Sequence, residues 1–370
     1  MKIIALGGAG DVGSRAVELL SAQPDVSGIT IADRAVDRAH RLAAELGGPR
    51  CPIVVEAVDA GDHRRLVEVI AGHDLAVSAI GPYFRFESRL VAATLEAGVD
   101  YVSACDEWDA TEAVFAQFED RATQAGHLVM LGLGASPGIT NLGVKLLCGE
   151  LDRVRRADVY VYQPWIAGGQ EAVVRHLLHI ISGDVALWRG GRRVFAPSCS
   201  ERRTVTFPRH GDLSVWTMGH PEPTTLPRYL PGIDEVSFFM GLGRGTRLCV
   251  GPARLGLFRS SRAVEATVRL LSAIERSAKL APSEGAIRLD VWGSIAGLPV
   301  HRMLCGTGHM RDVTGVSLAV GALMAARQQQ THRRGGVFAP ESYLDAGDFI
   351  ASLKRHGIET YRDLAMVQKA

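Results

Sequence analysis

The first 135 residues alternate between short apolar runs and longer amphipathic stretches, and this alternation limits the possible folds more than any other feature of the chain. The apolar runs span five to seven residues and the helical patterns about ten to fifteen, as in Lys2–Leu6 followed by Val12–Ser21. Strands separated by helices of this length form a parallel sheet with crossover helices. Because the strands are apolar on both faces, we expect helices above and below them, in a Rossmann-type doubly wound α/β fold.

After Ser136 the alternation stops, and shorter strands appear between segments rich in Gly, Arg and Pro. This change predicts a second α+β domain with a mixed or antiparallel sheet. We interpret Arg189–Arg193 and His220–Pro231 as loops, and 262–280 as a long helix. The predicted domains are therefore 1–137, 138–310 and a carboxyl-terminal segment, 311–370.

A glycine motif, G-x-G-x-x-G, follows the first strand directly and opens the first helix. It comprises Gly8, Gly10 and Gly13, with Asp11 and Val12 between the last two glycines. In a strand–loop–helix context this motif is typical of dinucleotide binding, because the helix N-terminus presents unpaired N–H groups to a pyrophosphate. The alternative is a glycine turn in an α/β domain that binds no ligand.

The residues at the end of the second strand bear on which dinucleotide is bound. Asp33 lies twenty residues after Gly13, where a carboxylate binds the ribose hydroxyls. Its charge would repel a 2′-phosphate, so NAD is favoured over NADP. Arg34 leaves NADP open, because it could pair with that phosphate or stack on the adenine.

Further cofactor contacts are expected where other parallel strands end, since ligands bind outside the carboxyl ends of the strands. Asp59 and Ala60 follow the third strand, and Ala79, Ile80 and Gly81 follow the fourth. For Asp59, a helix cap is an equally good interpretation.

The segment Gly134–Gly138 matches G-x-S-x-G, the nucleophile elbow of serine hydrolases, but its chemistry does not fit. In that elbow the residue after the serine donates its backbone N–H to the oxyanion, and here that residue is Pro137, which has none. We therefore interpret Ser136 as the N-cap of a helix over 138–150, or as a substrate-binding residue at that helix N-terminus.

Composition excludes several classes of protein and partner. Lys and Arg total 41 against 40 Asp and Glu, which argues against nucleic-acid binding by bulk charge. The longest uncharged stretch near the carboxyl terminus, 313–326, is too short to cross a bilayer. Six scattered cysteines suit a reducing cytoplasm. The histidines lack metal-ligand spacing, so we expect no metal.

Several segments make the sequence similar to the saccharopine dehydrogenase family, the NAD(P)-binding group of saccharopine reductases and carboxynorspermidine dehydrogenase-like enzymes. They are the glycine loop, 79–83, 92–101 and, most distinctively, 132–141 (GLGASPGITN), with weaker matches at 219–231 and 336–341. The resemblance implies a middle module for substrate and dimerisation, and a carboxyl-terminal segment that packs back on the first domain. Where relatives often continue Pro-Gly-Ile with an acidic residue, this chain has Thr140-Asn141.

The resemblance further implies hydride transfer between NAD(P) and a carbon–nitrogen bond of a small amino-acid-like substrate. One alternative is a reductase of carbon–carbon double bonds, since saccharopine dehydrogenase-like chains also resemble trans-acting enoyl reductases. Another is a regulator that binds NAD(H) without turnover.

The proton required by such a reaction would come from the loops after strands four and five. Our candidates are Asp106 as the proton carrier and Tyr83 to orient the substrate, with Glu107, Ser136 and Asn141 as substrate-binding residues. Capping of the next helix by Asp106 or Asp109 is the structural alternative. We also expect a homodimer, from the weakly charged Val236–Met240 and the apolar positions of helix 262–280.

Overall fold

The computed structural model describes residues 1–164, 171–243, 246–278 and 284–370. They divide into two compact units, and the chain leaves the first and later returns to it. Unit 1 comprises Met1–Ile139 and Arg311–His356, and unit 2 comprises Thr140–Met310 and Gly357–Ala370. From the family resemblance, all of 311–370 is predicted to pack on the first domain. Its last residues instead belong to unit 2, because Tyr361 pairs with Cys305 and with Lys369.

Strands and helices alternate through the amino-terminal segment of unit 1, as the apolar periodicity predicts. A wide turn over Ala135–Ile139 ends this segment. The elements are β1 Lys2–Leu6, α1 Asp11–Ser21, β2 Gly28–Asp33, α2 Val36–Leu46, β3 Ile53–Ala57, α3 His63–Ile70, β4 Leu75–Ser78, α4 Tyr83–Glu96, β5 Asp100–Ser103, α5 Trp108–Ala125 and β6 Leu128–Met130.

Unit 2 contains longer strands and several hairpins. Its elements are α6 Thr140–Cys148, β7 Arg153–Tyr162, α7 Glu171–Ile180, β8 Asp184–Arg189, β9 Arg192–Pro197, β10 Arg202–Phe207, β11 Gly211–Thr217, α8 Glu222–Tyr229, β12 Glu235–Gly241, α9 Thr246–Arg254, α10 Ser261–Ala278, β13 Gly285–Ile295 and β14 Leu298–Gly308.

Two segments of unit 2 that we interpreted as loops are more regular than expected. Arg189–Arg193 is the tight turn of the β8–β9 hairpin, in which Gly190 and Gly191 adopt the positive φ angles that such a turn needs. His220–Pro231 contains α8, so the loop interpretation is wrong there. Its prolines suggest a loop, but Pro221 and Pro223 lie at the cap and in the first turn, where a proline removes no helical hydrogen bond. Only Pro227 lies inside the helix.

The chain then returns to unit 1 with α11 Met310–Thr331, β15 Gly336–Phe338, α12 Pro340–Tyr343 and α13 Ala346–Arg355. Helix α11 packs closely on the amino-terminal segment. The Ser317 hydroxyl donates to the Gly134 carbonyl oxygen at 2.7 Å, and a Cβ on Gly321 would lie 2.3 Å from Leu133. The carboxyl-terminal elements are therefore part of the core of unit 1.

The sheet of unit 1 has seven parallel strands in the order β15-β6-β5-β4-β1-β2-β3, with helices on both faces. The predicted doubly wound Rossmann-type sheet is confirmed. From β1 the chain proceeds outward through β2 and β3, then crosses to β4 on the other side of β1. The loops after β1 and β4 thus border the topological switch point, where ligands of such sheets bind.

The sheet of unit 2 is mixed, with the order β10-β11-β12-β7-β13-β14, and β8 and β9 extend it beside β12. This confirms a second domain of the α+β type. Strand β12 lies between β11 and β7 and is buried. The core of unit 2 thus accounts for the apolar character of Val236–Met240, and the predicted homodimer, which rests on α10 alone, stays a prediction. In the described part of the chain, every helix is too short or too polar to span a membrane.

Candidate functional site

The loop between β1 and α1 is a tight backbone turn that only glycine permits. The N–H of Gly8 donates to the Ala5 carbonyl at 3.2 Å, and that of Gly10 to the Gly7 carbonyl at 3.0 Å. A Cβ on Gly13 would lie 2.2 Å from the Gly7 oxygen. Gly10 is the N-cap residue of α1 and no side chain caps the helix. The first-turn N–H groups, which include those of Asp11 and Val12, therefore have no intrahelical acceptor and suit a phosphate.

Asp33 is held beside this loop by two backbone hydrogen bonds. Its Oδ2 accepts from the Ala9 N–H at 3.0 Å, and its Oδ1 from the Ala35 N–H at 2.8 Å. These two bonds fix the side chain in place. Because each carboxylate oxygen can accept a further hydrogen bond, Asp33 can still bind ribose hydroxyls. Arg34 is exposed next to it, which keeps the NADP alternative open.

The loops after β3 and β4 lie at the same edge of the sheet. Asp59 is exposed, and its Oδ1 accepts from the Gly61 N–H at 2.7 Å. The cap of α3 is Asp62, which accepts from the Arg65 N–H, so the cap interpretation of Asp59 is wrong. After β4, Ala79 donates to the Leu6 carbonyl at 2.9 Å.

The loop after β4 also approaches the glycine loop closely. A Cβ on Gly7 would lie 2.8 Å from the Ile80 side chain. Ala79 and Ile80 thus lie against the glycine loop, and Gly81 follows them. After β3, Ala60 is buried next to the exposed Asp59.

Tyr83 begins α4, immediately after the β4 loop. Burial raises the pKa of its hydroxyl well above the usual value, and the neighbouring carboxylates, Asp106 first, raise it further. The phenol is therefore protonated across the physiological range, so Tyr83 can donate a hydrogen bond but is a poor general base. This property agrees with the orienting role predicted for it.

Asp106 and Glu107 follow β5 and have different environments. Asp106 is half-buried, whereas Glu107 is fully buried and its carboxylate accepts a hydrogen bond from the Phe84 N–H in the first turn of α4. Glu107 is also the N-cap residue of α5. The cap interpretation of Asp106 or Asp109 is therefore wrong. Glu107 is engaged by α4, and the choice of Asp106 as the proton carrier stays a prediction.

The segment around Ser136 differs from the predicted helix start. Residues Ala135–Ile139 form the wide turn, with Ser136 in an extended conformation, and α6 begins only at Thr140. Ser136 has the extended backbone angles of an N-cap residue and is followed directly by Pro137–Ile139 and α6, so the N-cap interpretation stays a prediction. A Cβ on Gly138 would lie 2.9 Å from the Ser317 hydroxyl, so close packing against α11 fixes this turn.

In unit 2, Asn141 lies fully buried on α6. Its amide nitrogen donates to the Thr225 hydroxyl on α8 at 2.9 Å. Its carbonyl oxygen has no hydrogen-bond partner in the described part of the chain. A buried acceptor of this kind is costly to leave unpaired, so it suits a ligand that brings an N–H or O–H donor.

Sequence reasoning missed a buried acid–imidazole pair beside Asn141. His220 Nδ1 lies 2.6 Å from Glu222 Oε2, and the Thr140 hydroxyl donates to Glu222 Oε1 at 2.7 Å. The His220 ring stacks on Phe238 at 4.0 Å, and His176 meets its edge. The sequence gives no spacing that links His176 to His220. His220 and Glu222 both lie in the segment 219–231, so its weak resemblance to the family was the one sequence feature that pointed to them.

Sequence reasoning also missed Glu87. It is fully buried on α4, and Ser103 at the end of β5 donates to its Oε1 at 2.5 Å. The signal was its spacing: Glu87 shares the buried stripe of α4 with Leu90, Val91 and Thr94, where a carboxyl is unusual.

Comparison with known proteins agrees with this geometry. Residues 3–130 match the family described as the saccharopine dehydrogenase NADP binding domain. The chain is 25% identical over 257 residues to carboxyaminopropylagmatine dehydrogenase from Synechocystis, covering 65% of this chain and 62% of that protein. It is also 25% identical over 193 residues to a trans-acting enoyl reductase from Mycobacterium bovis, covering 49% of this chain and 46% of the relative.

Among solved structures, saccharopine dehydrogenase (L-Glu forming) from Saccharomyces cerevisiae superposes with a TM-score of 0.68 at 15% identity. This match covers 96% of this chain and 98% of the yeast chain, so the two share their fold. The alignment to each sequence relative spans less than two thirds of that relative's length. Residues 3–130 are therefore similar to the saccharopine dehydrogenase NADP binding domain, and the fold of the chain is similar to that of the yeast enzyme.

Proposed function

We propose that this chain is an NAD(P)-dependent oxidoreductase that acts on a carbon–nitrogen bond of an amino-acid-like substrate. The observation that carries the proposal is the uncapped glycine loop with Asp33 fixed beside it, because this arrangement fits the pyrophosphate and ribose of a dinucleotide. The Gly8–Gly13 loop would hold the pyrophosphate and Asp33 the adenine ribose.

Two features support an amine as the substrate. The unpaired Asn141 carbonyl oxygen in unit 2 can accept a hydrogen bond from a substrate N–H. In addition, the name of the Synechocystis relative describes a carboxylated amine. We infer that Asn141 binds the substrate amine. In unit 1, Ser136 and Glu107 stay predicted substrate-binding residues.

Asp106 would move the proton. A bound dinucleotide supplies or accepts the hydride at the carbon of the C–N bond. In the reducing direction, Asp106 delivers a proton to the imine nitrogen, and in the oxidising direction it removes one from the amine. Tyr83, which stays protonated, donates a hydrogen bond that orients the substrate.

The proposal is tested first by binding and then by turnover. Titration with NADH and NADPH should quench the intrinsic fluorescence or enhance that of the nicotinamide. A screen of amines paired with oxo acids should then consume the reduced dinucleotide. Binding without turnover on any pair would favour the regulator, and turnover of an enoyl thioester would favour the carbon–carbon reductase that the mycobacterial relative suggests.

The role of Asp106 has its own test. We expect Asp106→Asn to lower kcat/KM by about 100-fold or more, because positioned acid–base groups contribute on this scale. Asp120→Asn, an exposed change on α5, is the matched control and should leave kcat/KM unchanged. An Asp106→Asn enzyme with the wild-type kcat/KM and pH profile would show that another group carries the proton.

A further inference from the structure

A carboxyl lies buried beneath the carboxyl end of β5 in unit 1. Glu87 Oε1 accepts from the hydroxyl of Ser103, the last residue of that strand. Tyr101 faces the same carboxyl from β5, and Asp106 and Glu107 act on it from the loop that follows. The side chain is fully shielded from solvent. The charged groups that influence its titration most are the carboxylates Glu107 and Asp106, and Tyr83 and Cys105 also interact with it.

These surroundings decide the charge of Glu87. Burial raises its pKa to about 8, although the hydrogen bond from Ser103 and the nearby Tyr101 hydroxyl lower it in part, and the acidic groups Glu107 and Asp106 raise it. The carboxyl is therefore mostly neutral at pH 7 and gains a negative charge just above the physiological range. The charge appears inside a low-dielectric region, where screening by water is weak.

The location of this charge matters for a dinucleotide. In sheets of this kind the ligand binds outside the carboxyl ends of the strands at the switch point. Strand β5 adjoins β4 there, and the β4 loop packs on the glycine loop. The oxidised nicotinamide ring is a cation and the reduced ring is neutral, so a nearby carboxylate attracts only the oxidised form.

We propose that Glu87 determines the preference of this chain for the oxidised or reduced form of the dinucleotide: ionised, it favours the oxidised form, and protonated, it favours neither. The inference rests on the dinucleotide binding in the proposed function, but not on the identity of the substrate or on Asp106. It makes Glu87 a pH-dependent specificity residue that does not itself touch the reacting atoms.

The test measures binding and needs no substrate. The dissociation constants of NADP⁺, NADPH, NAD⁺ and NADH are determined by calorimetry from pH 6.5 to 9.5. In the wild-type protein, the dissociation constant of the reduced form divided by that of the oxidised form should rise about tenfold as the pH increases. A change of this size is on the order of what one partly buried charge pair contributes to binding. The rise should be centred near pH 8. In Glu87→Gln the ratio should stay at its neutral-pH value throughout.

Two further variants sharpen the result. Glu96→Gln is the matched control, because Glu96 lies on the same helix and is exposed, and it should keep the wild-type pH dependence. Ser103→Ala removes a hydrogen bond that lowers the pKa of Glu87, so the rise should move to higher pH. This shift tests the inference even if Glu87→Gln does not fold.

An independent readout is the infrared carbonyl band of a protonated carboxyl, which the wild-type protein should show at pH 7 and Glu87→Gln should lack. A wild-type protein that binds both forms with a pH-independent ratio would overturn the inference and leave the proposed function standing. The same rise in Glu87→Gln would also overturn it. Failure to bind any dinucleotide would overturn the proposed function itself.

Discussion

Asp33 is the residue on which we expect the choice between NAD and NADP to depend. Its carboxylate is held by the N–H groups of Ala9 and Ala35, so its charge stays where the proposed function places the adenine ribose. Arg34 is exposed beside it, and Arg38, one helical turn further on, lies 3.3 Å from Asp11. The carboxylate favours NAD, whereas the arginines beside it favour NADP. The NAD preference therefore stays a prediction.

We expect Asp33→Ser to weaken NADH binding about tenfold or more, because the ribose loses a charged acceptor. NADPH binding should weaken less or strengthen, since the charge that repels the 2′-phosphate is gone. Fluorescence titration of both forms measures this, and Asp37→Ser, an exposed change in the first turn of α2, is the control. Equal losses for both dinucleotides would mean that Asp33 only stabilises the loop.

At the scale of the element, the first βαβ segment shows how a short motif fixes a backbone. Gly13 has no room for a side chain, because the Gly7 oxygen would lie 2.2 Å from its Cβ. The contact is with backbone, which cannot rotate away as a flexible side chain could. The start of α1 is therefore held in a fixed position relative to the end of β1. The N–H groups that would bind phosphate are fixed in the same way.

We expect Gly13→Ala to destabilise the protein by about 2 kcal/mol, as overpacking against rigid neighbours does. It should also abolish dinucleotide binding, because the loop must move. Thermal unfolding and NADH titration measure the two effects. Gly48→Ala places a Cβ in open space and should change neither quantity. If Gly13→Ala bound NADH like the wild-type protein, the close approach would not define the site.

At the scale of the whole molecule, unit 1 is assembled from two distant segments of the chain. β15 pairs with β6 and completes the seven-stranded sheet, and the Val337 N–H donates to Glu119 on α5. Without the returning segment, β6 would be an unpaired edge and the surface that α11 covers would be exposed.

We therefore expect a fragment of residues 1–139 to unfold without a cooperative transition. The same fragment joined by a flexible linker to 311–356 should unfold cooperatively in urea. Circular dichroism against urea concentration distinguishes the two. A cooperative transition for 1–139 alone would mean that the returning segment adds little to unit 1.

The sequence by itself determined the Rossmann-type unit, because strand and helix periodicity and the glycine loop are local patterns whose geometry is set within about thirty residues. Strand β1 lies at the predicted residues, Lys2–Leu6, and α1 begins one residue before the predicted Val12 and ends at the predicted Ser21. The predicted cofactor-binding residues follow from the same local patterns, because the carboxyl ends of neighbouring parallel strands meet at one edge of the sheet.

Only the tertiary structure decided which polar side chains meet. Thr140 pairs with Glu222 across 82 residues and Asn141 with Thr225 across 84, and no local pattern encodes such separations. The partner of Glu107, the Phe84 N–H, depends on how α4 packs beside the end of β5. The charge of Glu87 was equally hidden, because a pKa near 8 arises from burial and from the groups that enclose the carboxyl. Those surroundings exist only once the helix has packed on the sheet.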